Sequence, residues 1–352
     1  MRPYLVVAAG LLATVLVASA VTLGVLQLQG RTNPQQVNLR PGVTIVEDSA
    51  IVQAAAKAMP AVVSVVTQQQ PELARGSGYL ATSDGYIVTN VDVIAAASGL
   101  TVLVTGDLTP HPARLVDYDC LTGVAVIKID NVSGLPTLAF ADPGALVQGQ
   151  PVVAVGGPLE GNSVIPAYVS AMHRTMTSPD PAGAGPPTGF ADTIQITAAV
   201  GSGAAGGPLL NVGDQVVGIA MQSPTGLAGG YALNVAEVQD DVQQMLQTGQ
   251  VVVASLGAST TVVDAEVSAL TGVPEGSRVV TVDQNGPAAA IGLQAGDIVT
   301  QIDDVKVDSA NPLDLLLRSR FHPAQRITVT YSRNGVSTQV ELTLTGSHPS
   351  CR

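Results

Sequence analysis

The chain has 352 residues, room for two to three domains at roughly 100–200 residues each. Fifteen Lys and Arg against 27 Asp and Glu leave a formal charge of −12, which argues against a nucleic-acid binder, whose affinity comes largely from clustered positive charge. Hydrophobic residues make up 46% and aromatics 3% with no Trp, so wholesale disorder is excluded and the core must be built from Val, Ile, Leu and Ala.

Residues 4–26 form an uncharged run of 23 residues between Arg2 and Arg31. As a helix this run measures about 34 Å, enough for a hydrocarbon core of roughly 30 Å. The expectation is a transmembrane anchor over residues 1–29 that contacts the lipid bilayer through residues 4–26. The protein is then a single-pass cell-membrane protein with the bulk of the chain extracytoplasmic. Ala18-Ser19-Ala20 resembles a small-x-small cleavage site, so a cleaved secretory signal stays open as the alternative. In an oxidising compartment Cys120 and Cys351 either pair or remain two thiols, and both readings stand.

Residues 30–48 are polar, with turn-like clusters at Asn33-Pro34 and Arg40-Pro41-Gly42, and read as a linker. Residues 49–60 have helical spacing. Short Val/Ile-rich runs follow at 62–66, 86–88, 100–104, 124–129, 152–155, 193–196, 216–220 and 231–235. Gly, Pro or Asp clusters separate them, which predicts an all-β barrel or sandwich. His111 reads as part of a Pro-flanked turn, residues 178–189 as a Pro/Gly-rich surface loop, and 238–247 as a closing helix. From residue 251 a second pattern begins, with strands at 278–282, 298–302, 327–331 and 339–344 and a helix over 312–319. That is a compact α+β module of about 90 residues. The expected division is 1–29, 30–48, 49–250, 251–346 and a tail at 347–352.

Several phrases then occur in a fixed order. Gly76-Ser77-Gly78-Tyr79 precedes Asp84-Gly85-Tyr86-Ile87-Val88-Thr89-Asn90. Val124-Ala125-Val126-Ile127-Lys128-Ile129, Val155-Gly156-Gly157-Pro158-Leu159 and Gly206-Gly207-Pro208-Leu209 follow. This order resembles the HtrA-type branch of the chymotrypsin-like (trypsin-like) serine proteases. Gly286-Pro287-Ala288-Ala289 and Ala295-Gly296-Asp297-Ile298-Val299 resemble the PDZ module that follows such protease domains. The resemblance implies a mainly β fold: two six-stranded antiparallel β-barrels (chymotrypsin-like) with a cleft between them, then an α+β PDZ domain.

In that family a Ser attacks a carbonyl, a His takes its proton and an Asp supports the His. The His position, after Thr-Asn, is here Asp92 in Thr89-Asn90-Val91-Asp92-Val93. The Asp position, before Val124-Ala125-Val126, is Gly123, and the nucleophile position, before Gly206-Gly207-Pro208, is Ala205. All three have lost their chemistry, so no catalytic residue is intact and the expectation is a pseudoenzyme. The backbone N–H groups of Gly203 and Ala205 would form the residual oxyanion hole; the alternative is that these small residues only preserve packing. Ser202 is the nearest hydroxyl to Ala205 and reads as a loop serine rather than a substitute nucleophile.

In the PDZ-like module Leu256, Gly257 and Ala258 fit the loop that binds a terminal carboxylate. Leu315 and Leu316 are expected along the groove helix. The partners implied are peptides or protein C-termini, with homo- or hetero-oligomers formed with active relatives as a further expectation. No metal site or cofactor is expected. The function so read is a peptide-binding, scaffold or regulatory protein in bacterial envelope protein quality control. The alternative is an active HtrA-like serine endopeptidase degrading misfolded extracytoplasmic proteins.

Overall fold

Strand-length apolar runs with buried residues on both faces dominate the computed structural model, which describes residues 18–21, 50–69, 72–95, 97–178, 188–223 and 229–349. In chain order, helix α1 (Ala50–Ala58) leads into strands β1 (Val62–Gln69), β2 (Glu72–Leu80) and β3 (Tyr86–Asn90) and the short helix α2 (Val91–Ile94). β4 (Leu100–Val104), β5 (Asp107–Asp119) and β6 (Val124–Ile129) close the first barrel in the order β1-β2-β3-β6-β5-β4. A second closed barrel, β10-β11-β12-β9-β8-β7, uses β7 (Pro151–Val155), β8 (Val164–Ser178), β9 (Thr188–Ile196), β10 (Pro208–Leu210), β11 (Val216–Met221) and β12 (Gly230–Asn234). The expected pair of six-stranded antiparallel barrels is therefore present.

Period-two alternation explains why β6 is buried along its whole length. Ala125, Ile127 and Ile129 point into the first barrel, beside Val63, Leu80 and Ile87. Val124 and Val126 point the other way, into a core shared with Val153, Val155 and Ile219 of the second barrel. Helix α3 (Val235–Thr248) seals this shared core with Val238, Val242 and Met245, an i, i+4, i+7 stripe. Asn234 caps α3 by accepting from the Ala236 N–H at 3.1 Å, and Gly249, at φ 79°, ends it.

The C-terminal module adds β13 (Val253–Ser255), β14 (Ala258–Val263), helix α4 (Ala265–Thr271), β15 (Gly276–Val282), helix α5 (Pro287–Ala290), β16 (Ile298–Ile302) and β17 (Val305–Lys306). Helix α6 (Leu313–Arg320), β18 (Arg326–Arg333), β19 (Val336–Thr343) and β20 (Thr345–Ser347) complete it. The sheet order is β14-β15-β16-β18-β19, with β17 beside β16, and β13 pairs separately with β20. Its core gathers Leu256, Val299, Ile302, Leu313, Leu316, Leu317 and Val329. Both barrels and this module belong to one unit, Asp48–Arg352.

Two local expectations are corrected. His111 lies inside β5 rather than in a turn, because Pro110 and Pro112 occupy positions of a long strand that the ladder tolerates. Residue 178 ends β8 and residues 188 and 189 belong to β9, not to the loop expected between them. The rest of that expected loop, 179–187, lies outside the described residues. So do the linker, Cys351 and all of the expected anchor except Ala18–Val21. Among the described residues no helix is long and apolar enough to cross a membrane.

Candidate functional site

The β3–β6 register pairs Thr89 with Ala125 and Asn90 with Val124. The next step along both strands brings Val91 to Gly123, whose carbonyl accepts the Val91 N–H at 2.8 Å. Asn90 then starts α2, its Oδ1 accepting from the Val93 N–H at 3.0 Å, so Asp92 sits in the first turn, half-buried. Val93 and Ala205 share the first-barrel core. A Cβ added to Gly76 or Gly206 would fall 2.5 and 3.1 Å from Val93 Cγ2. The segments carrying residues 92, 123 and 205 thus meet where the two barrels face each other.

Buried polar groups fix the loop that holds Ala205. Ser77 Oγ donates to the Gly203 carbonyl at 2.6 Å and accepts the Gly157 N–H at 2.8 Å. The Ser77 N–H donates to the Ala205 carbonyl at 2.7 Å, and Thr89 Oγ1 donates to the Ser77 carbonyl at 2.8 Å. Asn90 Nδ2 reaches the Ala220 carbonyl at 3.2 Å. Ser77, Thr89 and Asn90 are almost wholly buried. The bonds of Ser77 and Asn90 cross between the barrels, that of Thr89 braces Ser77 within the first, and together they satisfy backbone groups that burial would otherwise leave unpaired.

Of the three positions, Asp92 carries a carboxylate, Gly123 has no side chain and Ala205 has a methyl group. Ala205 presents a methyl group, buried at 4% exposure. Gly123 has φ 79°, and a Cβ there would lie 2.7 Å from Phe190 Cε1 and 3.2 Å from Leu233 Cδ2. Aromatic packing fills the space a side chain would need. The Ala205 N–H donates to the carbonyls of Gly201 and Ser202, each at 3.2 Å, so one of the two expected oxyanion donors is turned into its own 3₁₀ turn. Ser202 is exposed. The histidines have partners elsewhere: His111 lies 3.6 Å from Asp107, His173 2.7 Å from Asp192 and His348 2.9 Å from Asp117. The His322 N–H donates to Gln325.

Behind Gly123 lies a charged cluster that sequence reasoning missed. Arg318, on α6, reaches between Asp119 Oδ2, at 2.5 Å, and Asp241 of α3. Thr122 Oγ1 donates to Asp241 at 2.8 Å, and Asp119 Oδ1 accepts the Leu121 N–H at 2.8 Å. Burial, reinforced by Asp119, pushes the Asp241 carboxyl up to about 6 despite the opposing pull of Arg318 and Thr122. Burial and neighbouring Asp192 likewise raise Glu237. No local sequence pattern marks this cluster, because Asp119, Asp241 and Arg318 stand near other charged residues, Asp117, Asp240 and Arg320.

In the C-terminal module β14 is an edge strand, the geometry that receives an added strand. Leu256 and Leu316 are buried in the core, whereas Ala258 and Leu315 are half-buried. Gly257, at φ 71°, brings its Cα against Gly286 and Pro287, where a Cβ would lie 2.9 Å from Gly286 Cα. Its N–H donates to Ser255 Oγ at 3.0 Å.

A trypsin-like peptidase domain model matches residues 76–219, and a PDZ domain model matches 254–344. The chain is 31% identical over 329 residues to the serine protease PepD of Mycobacterium tuberculosis, covering 87% of this chain and 67% of that protein. It is 34% identical over 277 residues to the probable periplasmic serine endoprotease DegP-like of Halomonas elongata, covering 76% and 56%. A solved structure of an HtrA-type protease AlgW variant with a decapeptide superposes with TM-score 0.69 at 26% identity, covering 86% of this chain and 98% of that one.

The chain belongs to the HtrA-type trypsin-like serine protease family. It spans about half the length of the DegP-like relatives it matches, 52–56%. Within this HtrA-type fold the inter-barrel face is where the segments of Asp92, Gly123 and Ala205 converge, and the PDZ domain supplies the edge strand.

Proposed function

We propose that the chain is a membrane-tethered, extracytoplasmic HtrA-like pseudoprotease. It binds peptides or protein C-termini and serves as a scaffold or regulator in envelope protein quality control, alone or assembled with active relatives. One observation carries this reading. The positions that match the family's His, Asp and Ser are Asp92, Gly123 and Ala205, and none supplies an imidazole, an orienting carboxylate or a nucleophile there. Losing a serine-protease triad costs about 10⁶-fold in turnover, on the order of 8 kcal/mol. The Phe190 ring against Gly123 supports the same reading, since it leaves no room for a carboxylate.

Peptide capture is assigned to the PDZ groove between β14 and α6, with Gly257 and Ala258 at its carboxylate end and Leu315 along its helix, while Leu256 and Leu316, buried in the module's core, back the groove from behind. The free edge of β14 and the peptide named with the AlgW structure support this. For Gly203 and Ala205 to hold a carbonyl, the turn at 201–205 must first release the Ala205 N–H. The uncharged run at 4–26 and the periplasmic names of the DegP-like relatives support an anchored, outward-facing chain. The proposed division stays at 1–29, 30–48, 49–250, 251–346 and 347–352.

The second reading, an active endopeptidase, is favoured by the relatives named serine protease and endoprotease. A serine-reactive fluorophosphonate and a casein digest on the full chain discriminate the two. The pseudoprotease reading expects neither labelling nor digestion. Labelling that is lost in Ser202→Ala would overturn it.

A further inference from the structure

The two ends of the C-terminal module and its last helix all return to one stretch of the first barrel, the end of β5 and the turn after it. At the module's entry, the Val251 N–H donates to Asp117 Oδ2 at 2.7 Å. At its exit, His348 Nε2 lies 2.9 Å from Asp117 Oδ1 and 3.1 Å from Oδ2. The His348 ring also meets Tyr118 edge-on, with ring centres 6.3 Å apart. Two residues along, Asp119 and Asp241 hold Arg318 of α6. Between them these contacts use one carboxylate for the entry and exit of a module of about 90 residues.

We propose that residues 117–119 are a proton-dependent dock for the C-terminal module, in which Asp117 secures both ends and the charged form of His348 supplies the exit contact. The geometry suits a contact that answers to solvent protons. The Asp117 side chain is 14% exposed and the His348 side chain 46%, so one partner is fixed in the protein and the other is reachable from water. The titratable groups facing His348 are all on β5, with Asp117 and Tyr118 in contact and Asp119 next to them, while its Nδ1 lies 2.9 Å from the Pro349 carbonyl. Arg318 already offsets Asp119, which leaves Asp117 as the dominant charge on the imidazole.

Burial alone lowers the His348 pKa, but the hydrogen bond and charge of Asp117, helped by the Pro349 carbonyl and the charge of Asp119, outweigh it and the group ends raised. The docked tail therefore holds its proton more tightly than a detached one. The contact is fully present below the ordinary histidine range and is lost as pH rises through the raised value. Acid favours the docked module and alkali loosens its exit. Any consequence for ligand capture rests on the peptide-binding reading above; the dock itself does not.

The test uses the full chain without peptide and without reductant, so it is independent of whether the groove binds anything. Hydrogen exchange is followed at residues 251–255 and 345–348, at about pH 5.5 and about pH 8.5, on either side of the imidazole titration. After correction for intrinsic exchange chemistry, protection is expected to fall several-fold at the higher pH in the wild type and to stay level in His348→Gln. A wild type that follows intrinsic chemistry alone, or a His348→Gln that keeps the dependence, overturns the proposal. Asp117→Asn provides a second measurement, because it keeps an acceptor for Val251 and removes only the charge. The His348 midpoint followed by NMR is expected to move down in this variant; an unmoved midpoint also overturns the proposal.

Discussion

Gly123 combines two constraints that no other residue type satisfies. Its φ of 79° lies in the left-handed region, and the ring of Phe190 stands where a Cβ would go. Gly123→Asp therefore adds backbone strain to steric overlap, and the expected destabilisation is roughly 2–4 kcal/mol by urea unfolding. Phe190→Ala in the same chain relieves the overlap but not the strain. A fluorophosphonate probe is expected to leave Asp92→His/Gly123→Asp/Ala205→Ser unlabelled while Phe190 remains. Asp241 gives a second prediction at this scale. Its carboxyl is raised to about 6, so the native state binds the proton more tightly than the unfolded chain. The associated stability is present below the ordinary aspartate range and lost as pH rises through about 6. Between roughly pH 4 and 7 the wild type should lose on the order of 2–3 kcal/mol through this group, and Asp241→Asn should not. Denaturant titrations at the two pH values check the sign.

At the scale of elements, α6 is held on both sides, by its leucines in the module's core and by Arg318 in the barrel. Removing one partner of a buried ion pair strands the remaining charges, so Arg318→Leu leaves Asp119 and Asp241 uncompensated. The expected loss is about 3–5 kcal/mol in thermal or denaturant unfolding, with Arg318→Leu/Asp241→Asn recovering part of it. Elements differed in how far the sequence disclosed them. The run 124–129 coincides with β6 because a strand buried on both faces is apolar throughout. β2, β5 and β8 did not announce themselves. Their residues include Glu72, Arg75, His111 and Arg174, and they pair with neighbours through backbone bonds that composition does not report. The helix expected at 238–247 begins three residues earlier, at Val235, because Asn234 caps it. Converging sites were legible only in part. The phrases around Ser77, Thr89 and Gly206 pointed to the inter-barrel face, whereas the Arg318 cluster joins residues 77 to 199 positions apart and left no local pattern.

For the whole molecule, the separation of a protease-shaped body from a strand-accepting module sets what a functional assay should read. Fluorescence titration of the full chain with a panel of decapeptides bearing free carboxyl termini is expected to give saturable binding that amidating the terminus abolishes. Uniform absence of binding would reject the peptide-capture reading without touching the pseudoprotease one, since casein digestion is measured apart. Chain-wide composition bears on this scale as well. With aromatics at 3%, tight packing rests on Val and Ala, and the buried hydrogen bonds of Ser77, Thr89 and Asn90 give the inter-barrel face a fixed geometry that small aliphatic side chains alone specify poorly.

Because a single carboxylate receives both Val251 and His348, the intervening segment behaves as a cassette whose start and finish are already neighbours. Excising it also removes Arg318, so the body that remains needs Asp119 and Asp241 neutralised, as in Asp119→Asn/Asp241→Asn, to avoid stranded buried charges. Grafting a foreign recognition domain at the same seam becomes a practical engineering route.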